Sequence, residues 1–134
     1  MDLRDMEKEE FEIMGDESVE SLFQVSTSLA LLDDDDQVIG LQGFYEYHIG
    51  VGQVWSIPSI HIKKHIKSYV KMYQHMMDEY FWDNSSYWRA QTWSVDDDLH
   101  NRWMKFVGFD FEGQMKKFGP TKKNYNIWAV VKDG

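Results

Sequence analysis

The sequence predicts an α/β fold, an α+β arrangement in which a central mixed, twisted sheet carries helices on both faces. Three observations lead there. Helical and strand-like segments alternate, as two short helices, two or three strands, a long helix, a strand, a short helix and two strands. The longest helical stripe, from about Ser59 to Trp82, lies between two strand-like stretches, an order that favours a right-handed parallel crossover. Finally, 134 residues with 43% hydrophobic and 16% aromatic content can bury a core without crosslinks. The chain is read as one domain, residues 1–134.

The elements follow in order. "MEKEEFEIMG" reads as a short helix ended by Gly15. "SVESLFQVSTS" reads as a second, capped by Asp16 or Ser18, with Val19, Leu22, Phe23 and Val25 as its buried stripe. "SLALL" and "QVIGLQGFYEYHI" are strands joined by Asp33 to Asp36. Four consecutive acids suit a solvated turn and lack the spaced ligands and glycine of a calcium loop. "GQVWSIP" is a short strand closed by Pro58. In the long helix, Ile62, Ile66, Tyr69, Val70, Tyr73, Met76, Met77 and Tyr80 advance by threes and fours, the spacing of one buried face. "YWRAQTWSV" is a strand, and Asp96 or Ser94 caps the helix that runs through Trp103 and Phe106 to Val107. Gly108 stands where a left-handed stop is expected. "FDFEGQMKKFG" and "NYNIWAVVK" form a strand pair around Gly119-Pro120.

Composition narrows the function. The net charge is −9, and more than half of the 23 acidic residues lie in the first 36 positions. An acidic chain supplies few of the cations that phosphate contacts require, so no nucleic-acid partner is expected. The tryptophans, Trp55, Trp82, Trp88, Trp93, Trp103 and Trp128, read as core and protein-interface residues rather than base-stacking platforms. With no cysteine, thiolate metal sites and a Cys nucleophile are excluded. His61 and His65 stand four apart on the predicted helix, but Ile62 occupies the place of a metalloprotease glutamate, and no metal is expected. No apolar run reaches membrane-spanning length.

The stretch "HNRWMKFVGFDFEG" resembles the second conserved region of the GNAT (Gcn5-related N-acetyltransferase) family. There an Asn opens a helix, a Gly-Phe pair closes it and a strand follows. Asn101, Gly108 and Phe109 match, and Glu112 stands where the family often has an acid. The chain is also similar to a divergent GNAT-like group of short-tailed bacteriophages that includes their internal virion protein. That similarity runs through "LRDMEKEEFEIMG", "SVESLFQVSTSLALLDDDDQVIGLQGF", "GQVWSIPSIHIKKHIKSY" and "HNRWMKFVGFDF". The resemblance implies a GNAT-like sheet whose first strand is very short or missing ahead of "LRDMEKEE". It also implies a location in the host cytoplasm or the virion interior.

The resemblance implies a cofactor site too, and the sequence departs from it. In the family, cofactor pyrophosphate rests on backbone N–H groups at the start of the long helix, where glycines let the backbone come close. Here "SIPSIHIKKHIKSY" holds no glycine, and none occurs between Gly52 and Gly108. Ser59, Lys63 and Lys64 are the substitute candidates, with Asn101 from the second region. The family's proton-donating Tyr, four residues before the Gly-Phe pair, is replaced by Met104. Tyr125 or a tyrosine of "FYEYHI" is a possible replacement, and Glu46 and His48 are the candidate general bases. Two expectations result. The first is a cofactor-free GNAT-like scaffold acting through a protein partner, from the phage virion or the host. The second is an acetyl-CoA-dependent N-acetyltransferase acting on a protein or small amine. An open cleft between "GQVWSIP" and "YWRAQTWSV" distinguishes the enzyme; a scaffold would fill it, for instance with Trp55 or Trp93.

Overall fold

The computed structural model describes residues 24–133. Six strands form one sheet: β1 (Thr27–Leu32), β2 (Val38–His48), β3 (Val51–Pro58), β4 (Arg89–Val95), β5 (Asp110–Met115) and β6 (Tyr125–Val131). Their spatial order is β1-β2-β3-β4-β6-β5. Every neighbouring pair is antiparallel except β3 and β4, which run parallel and are joined through helix α1 (Ile66–Met77). Helix α2 (Asp98–Phe106) connects β4 to β5. The predicted mixed sheet is therefore present, with its strand–helix–strand crossover.

The acidic run is a turn, as its composition suggests. Asp33 Oδ1 accepts from the N–H groups of Asp35 and Gln37, each at 2.9 Å, and Asp36 adopts a left-handed φ of 60°. This is the side-chain-to-backbone bonding by which Asp favours turns. The helix predicted over "SVESLFQVSTS" ends earlier than expected: Gln24 and Val25 are its last helical residues, and β1 begins at Thr27. Val25 is exposed rather than part of a buried stripe. The remainder of the two N-terminal helices, and any first strand ahead of them, lies outside the described residues.

The long helical stretch begins at Ile62, not Ser59. Ser59 still belongs to the sheet, its N–H donating to the Ile39 carbonyl at 2.8 Å. A 3₁₀ turn over Ile62–His65 leads into α1, and a π turn over Asp78–Trp82 ends it. The wider turn, marked by the Asp83 N–H to Asp78 carbonyl bond, turns Phe81 inward. Tyr80, predicted for the buried stripe, is only half-buried. Helix α2 is capped by Asp97 instead of Asp96 or Ser94: Asp97 Oδ1 accepts from the His100 N–H at 2.8 Å. Its stop is the expected one. Gly108 has φ +97°, its N–H reaches the Lys105 carbonyl, and the Phe109 N–H reaches that of Met104. Those two bonds satisfy carbonyls that the helix end would otherwise leave unpaired.

Both described helices pack on one face of the sheet. Tyr73, Met76, Met77 and Phe81 join Phe44, Val54, Ala90, Phe109 and Trp128 in the main core cluster. Tyr69 of α1 meets Ile39 and Ile62 in a second cluster, with Trp103 of α2 against it. Gly40 makes this packing possible, because a Cβ there would lie 2.4 Å from the Tyr69 ring. The helices expected on the other face fall within the segment outside the description. Among the described residues, no helix is long and apolar enough to cross a membrane.

Candidate functional site

Strands β3 and β4 are hydrogen-bonded neighbours only where they begin. Their ladder pairs Val51 with Arg89, Gly52 with Ala90 and Gln53 with Gln91, and stops there. Beyond it the strands separate, although β3 stays paired with β2 and β4 with β6. Val54–Pro58 and Thr92–Val95 thus face each other as two inner edges without a common ladder, presenting backbone donors and acceptors across a gap. The gap is a cleft of about 620 Å³, within the usual range for small-molecule sites of roughly 300–1,000 Å³.

The lining comes from both faces of the sheet. On the helix side it includes Ser56, Thr92 and Ser94, with Ile66 and Tyr69 of α1 and Trp103 and Met104 of α2. Side chains alternate along a strand, so Tyr45, Gln53, Trp55 and Trp93 point to the opposite face, and these also line the cleft. The opening therefore runs through the sheet. Trp55 forms a wall rather than a plug: its indole lies across the bare Gly43, where a Cβ would sit 2.2 Å from the ring, and its Nε1 donates to Ser26 Oγ at 2.9 Å.

The chemistry-bearing groups are unevenly placed. Tyr45, from the "FYEYHI" stretch, reaches the cleft, while Tyr125 does not line it. Burial, reinforced by the neighbouring Tyr47, raises the Tyr45 pKa above the ordinary phenol value, so it is protonated at neutral pH. Tyr73 is held protonated still more firmly by burial. His100 lines the cleft, with its Nδ1 2.8 Å from Asp97 Oδ1. A carboxylate on one imidazole nitrogen orients the ring, the arrangement used by general bases. Sequence reading passed over His100; its one signal is the Asp-x-x-His spacing across the first turn of α2. Ser94, only 4% exposed, also lines the cleft, and its hydroxyl has no hydrogen-bond partner among the described residues.

The predicted site residues do not converge. Lys63 stands at the cleft near the start of α1, whereas Lys64 is exposed and outside the lining. Ser59 is fully buried, and its hydroxyl accepts from the His61 N–H at 3.2 Å. Asn101 is engaged elsewhere: its Nδ2 donates to Asp96 Oδ1 and its Oδ1 accepts from Asn126, each at 3.0 Å. Asn126 and Gln114 donate to Asp96 as well. Together these bonds, led by that from Asn101, hold the Asp96 carboxyl below its ordinary pKa. Glu46 and His48 are exposed near the far end of β2 and do not line the cleft. Glu112, extruded by a bulge in β5, makes a two-pronged ion pair with Arg89. No group of three or more His, Cys, Asp or Glu poised for a metal occurs among the described residues.

The sequence matches no family model and no curated protein. The structure does have solved counterparts. A GNAT acetyltransferase from Elizabethkingia anophelis, solved with acetyl-CoA bound, superposes with a TM-score of 0.65 at 9% identity, over 88% of this chain and 84% of that one. The fold is that of the GNAT acetyltransferases. An IAA acetyltransferase from Bacillus cereus gives 0.68 at 9% identity, over 88% and 85% of the two chains. A GNAT-family acetyltransferase from Bacillus anthracis gives 0.60 at 14% identity, over 78% of this chain but only 65% of that one. This chain thus spans less than two thirds of the Bacillus anthracis protein.

The cleft can be tested against the cofactor that the GNAT fold implies. An extended, amide-bearing arm fits between the unladdered edges of β3 and β4. Lys63 adds positive charge at the start of the 3₁₀ turn, where the His61 N–H is taken by Ser59 Oγ and the Ile62 and Lys64 N–H groups donate to the Ser59 and His61 carbonyls. The fit is weaker for the phosphates, because Ile60, His61 and Ile62 carry side chains where the family uses glycine. The residues present therefore fit the arm well and the diphosphate by charge alone.

Proposed function

We propose that this chain binds the thioester arm of an acyl-CoA in the β3–β4 cleft and transfers the acyl group to an amine. The observation that carries the reading is the through-sheet opening. It lets a donor lie on the helix side while an acceptor approaches past Trp55 and Trp93, and neither tryptophan closes it. When bound, the acyl-CoA supplies an electrophilic thioester carbonyl. The chain's own residues do the rest. The β3 edge orients the arm, Lys63 attracts its anionic end, and the apolar walls exclude water. His100, oriented by Asp97 on the donor side, and Tyr45, a protonated phenol on the acceptor side, are two proton-exchanging side chains that line the cleft, where Met104 offers none. The acidic character of the chain suits a cationic amine or a basic protein as acceptor.

Calorimetric titration with acetyl-CoA and with CoA tests this. Binding tighter than about 100 μM, near −5.5 kcal/mol, that weakens in Lys63→Ala supports the reading. No heat at millimolar cofactor overturns it.

A second reading rests on a separate observation. β5 is a sheet edge, and Phe106 and Phe111, on either side of its start, expose 71% and 56% of their surface. In this reading the GNAT-like domain is a phage internal virion or assembly protein, and that surface contacts a protein of the virion or host. Loss of co-assembly with phage particles in Phe106→Lys/Phe111→Lys, with cofactor binding unchanged, would favour it.

A further inference from the structure

The cleft is richer in apolar surface than an acetyl group requires. On the helix side its walls are Ile62, Ile66, Leu99, Trp103, Met104 and Val107. The mouth stays apolar in contact with water: Ile66 is 40% exposed and Leu99 46%. Against this, the anionic end of a CoA finds one lysine and no glycine cradle. Affinity must then come mainly from covering apolar surface. Buried Thr92 and Ser94 interrupt that surface, and the Ser94 hydroxyl has no hydrogen-bond partner among the described residues. A buried hydroxyl left unpaired is unfavourable, and a ligand carbonyl placed in the cleft would relieve it.

We infer that the cleft selects a medium-chain acyl group rather than acetyl, with Ser94 Oγ donating a hydrogen bond to the ligand's carbonyl. The inference rests on the donor-binding reading above and specifies the donor's chemical class. The chain lies along the Ile66–Leu99–Trp103 wall, and its methylenes replace water there. Each fully buried methylene tightens binding roughly fourfold.

The test is a titration series of acetyl-, octanoyl- and dodecanoyl-CoA, each below its micellar concentration, on the full chain. Octanoyl-CoA should bind at least about tenfold more tightly than acetyl-CoA, with one-to-one stoichiometry. Ser94→Ala should weaken every thioester by roughly three- to tenfold. Its ligand-free melting temperature should stay level or rise, since it deletes an unpaired hydroxyl. A purely structural role for Ser94 would instead lower that temperature. Ile66→Glu, at an exposed position that the fold tolerates, should remove the gain from chain length, so that octanoyl-CoA binds no more tightly than acetyl-CoA to that variant. Acetyl-CoA binding with no gain along the series overturns the chain inference and leaves donor binding standing. A gain that survives Ile66→Glu places the chain elsewhere and also overturns it. If no thioester binds at millimolar concentration, the donor-binding reading and this inference fall together.

Discussion

The two ends of the β3–β4 pair are built differently: one is laddered and the other is open. At the closed end the residues are small where strands must meet. Gly52 and Ala90 pair directly, and the Phe44 ring crosses Gly52 so closely that a Cβ would lie 2.1 Å from its Cζ. On the opposite face a polar chain binds the strands together. Glu112 holds Arg89, Arg89 Nε donates to Gln91 Oε1, and Gln91 Nε2 donates to Gln53 Oε1 at 3.2 Å. It passes over β6 where Ala129 leaves room. At the open end the corresponding positions carry Trp55 and Trp93, and no cross-strand rung forms. The same two strands are thus a closed sheet and an open cleft within a few residues. Side-chain size and one polar chain decide where the change occurs.

The largest expected effect is at the closed end. Gly52→Val forces a side chain into the Phe44 ring and should cost about 3 kcal/mol, read from denaturant midpoints. Trp93→Ala at the open end should cost less, about 1–2 kcal/mol, because that side chain is 40% exposed and loses only its buried part and its edge-on contact with Phe118. Equal losses at the two sites would break the comparison. An intermediate effect is expected for Tyr69→Phe. The Tyr69 hydroxyl donates to the Leu41 carbonyl at 3.0 Å and also contacts Ser56 Oγ, joining α1 to β2 and β3 beside the cleft. Its removal should cost about 1 kcal/mol and leave the Leu41 carbonyl short of a donor. The smallest effect concerns Asp96. Its pKa is depressed in the folded state, so its contribution is present above the ordinary carboxylate value of 3.8 and disappears as pH falls through the lower folded value. Asp96→Asn should flatten that part of the acid-unfolding curve, lowering stability slightly at neutral pH and leaving it unchanged below the folded value.

Much of this fold was legible because period and punctuation agree. The alternating strands, the Asp33–Asp36 turn and the Gly108 stop each combine a hydrophobic pattern with a residue suited to its backbone. Legibility failed where tertiary contacts chose between equivalent residues. Ser94, Asp96 and Asp97 all qualify as caps by type, and only the path of β4 makes Asp97 the cap while burying Ser94 in the cleft. The π turn that exchanges Tyr80 for Phe81 has no local signature. Phe106 continues the apolar stripe of α2 in sequence yet faces water, because the helix packs through Trp103 and Met104. The site was harder still. Its residues come from β2, β3, β4 and both helices, and the divergence of two strands leaves no mark in either strand's own pattern. Lys63 stands out in the sequence by charge alone, whereas the placement of His100 and Ser94 at the cleft emerges only when the sheet is assembled.

We propose that the open end of β3–β4 receives a thioester donor while the closed end stays shut. Amide chemical-shift mapping of the labelled protein during addition of octanoyl-CoA tests it most directly. Perturbations should concentrate in Val54–Pro58, Thr92–Val95 and the start of α1, with Gly52 and Ala90 almost unmoved. Perturbations absent from the open end, or centred on the exposed surface of β5, would contradict it.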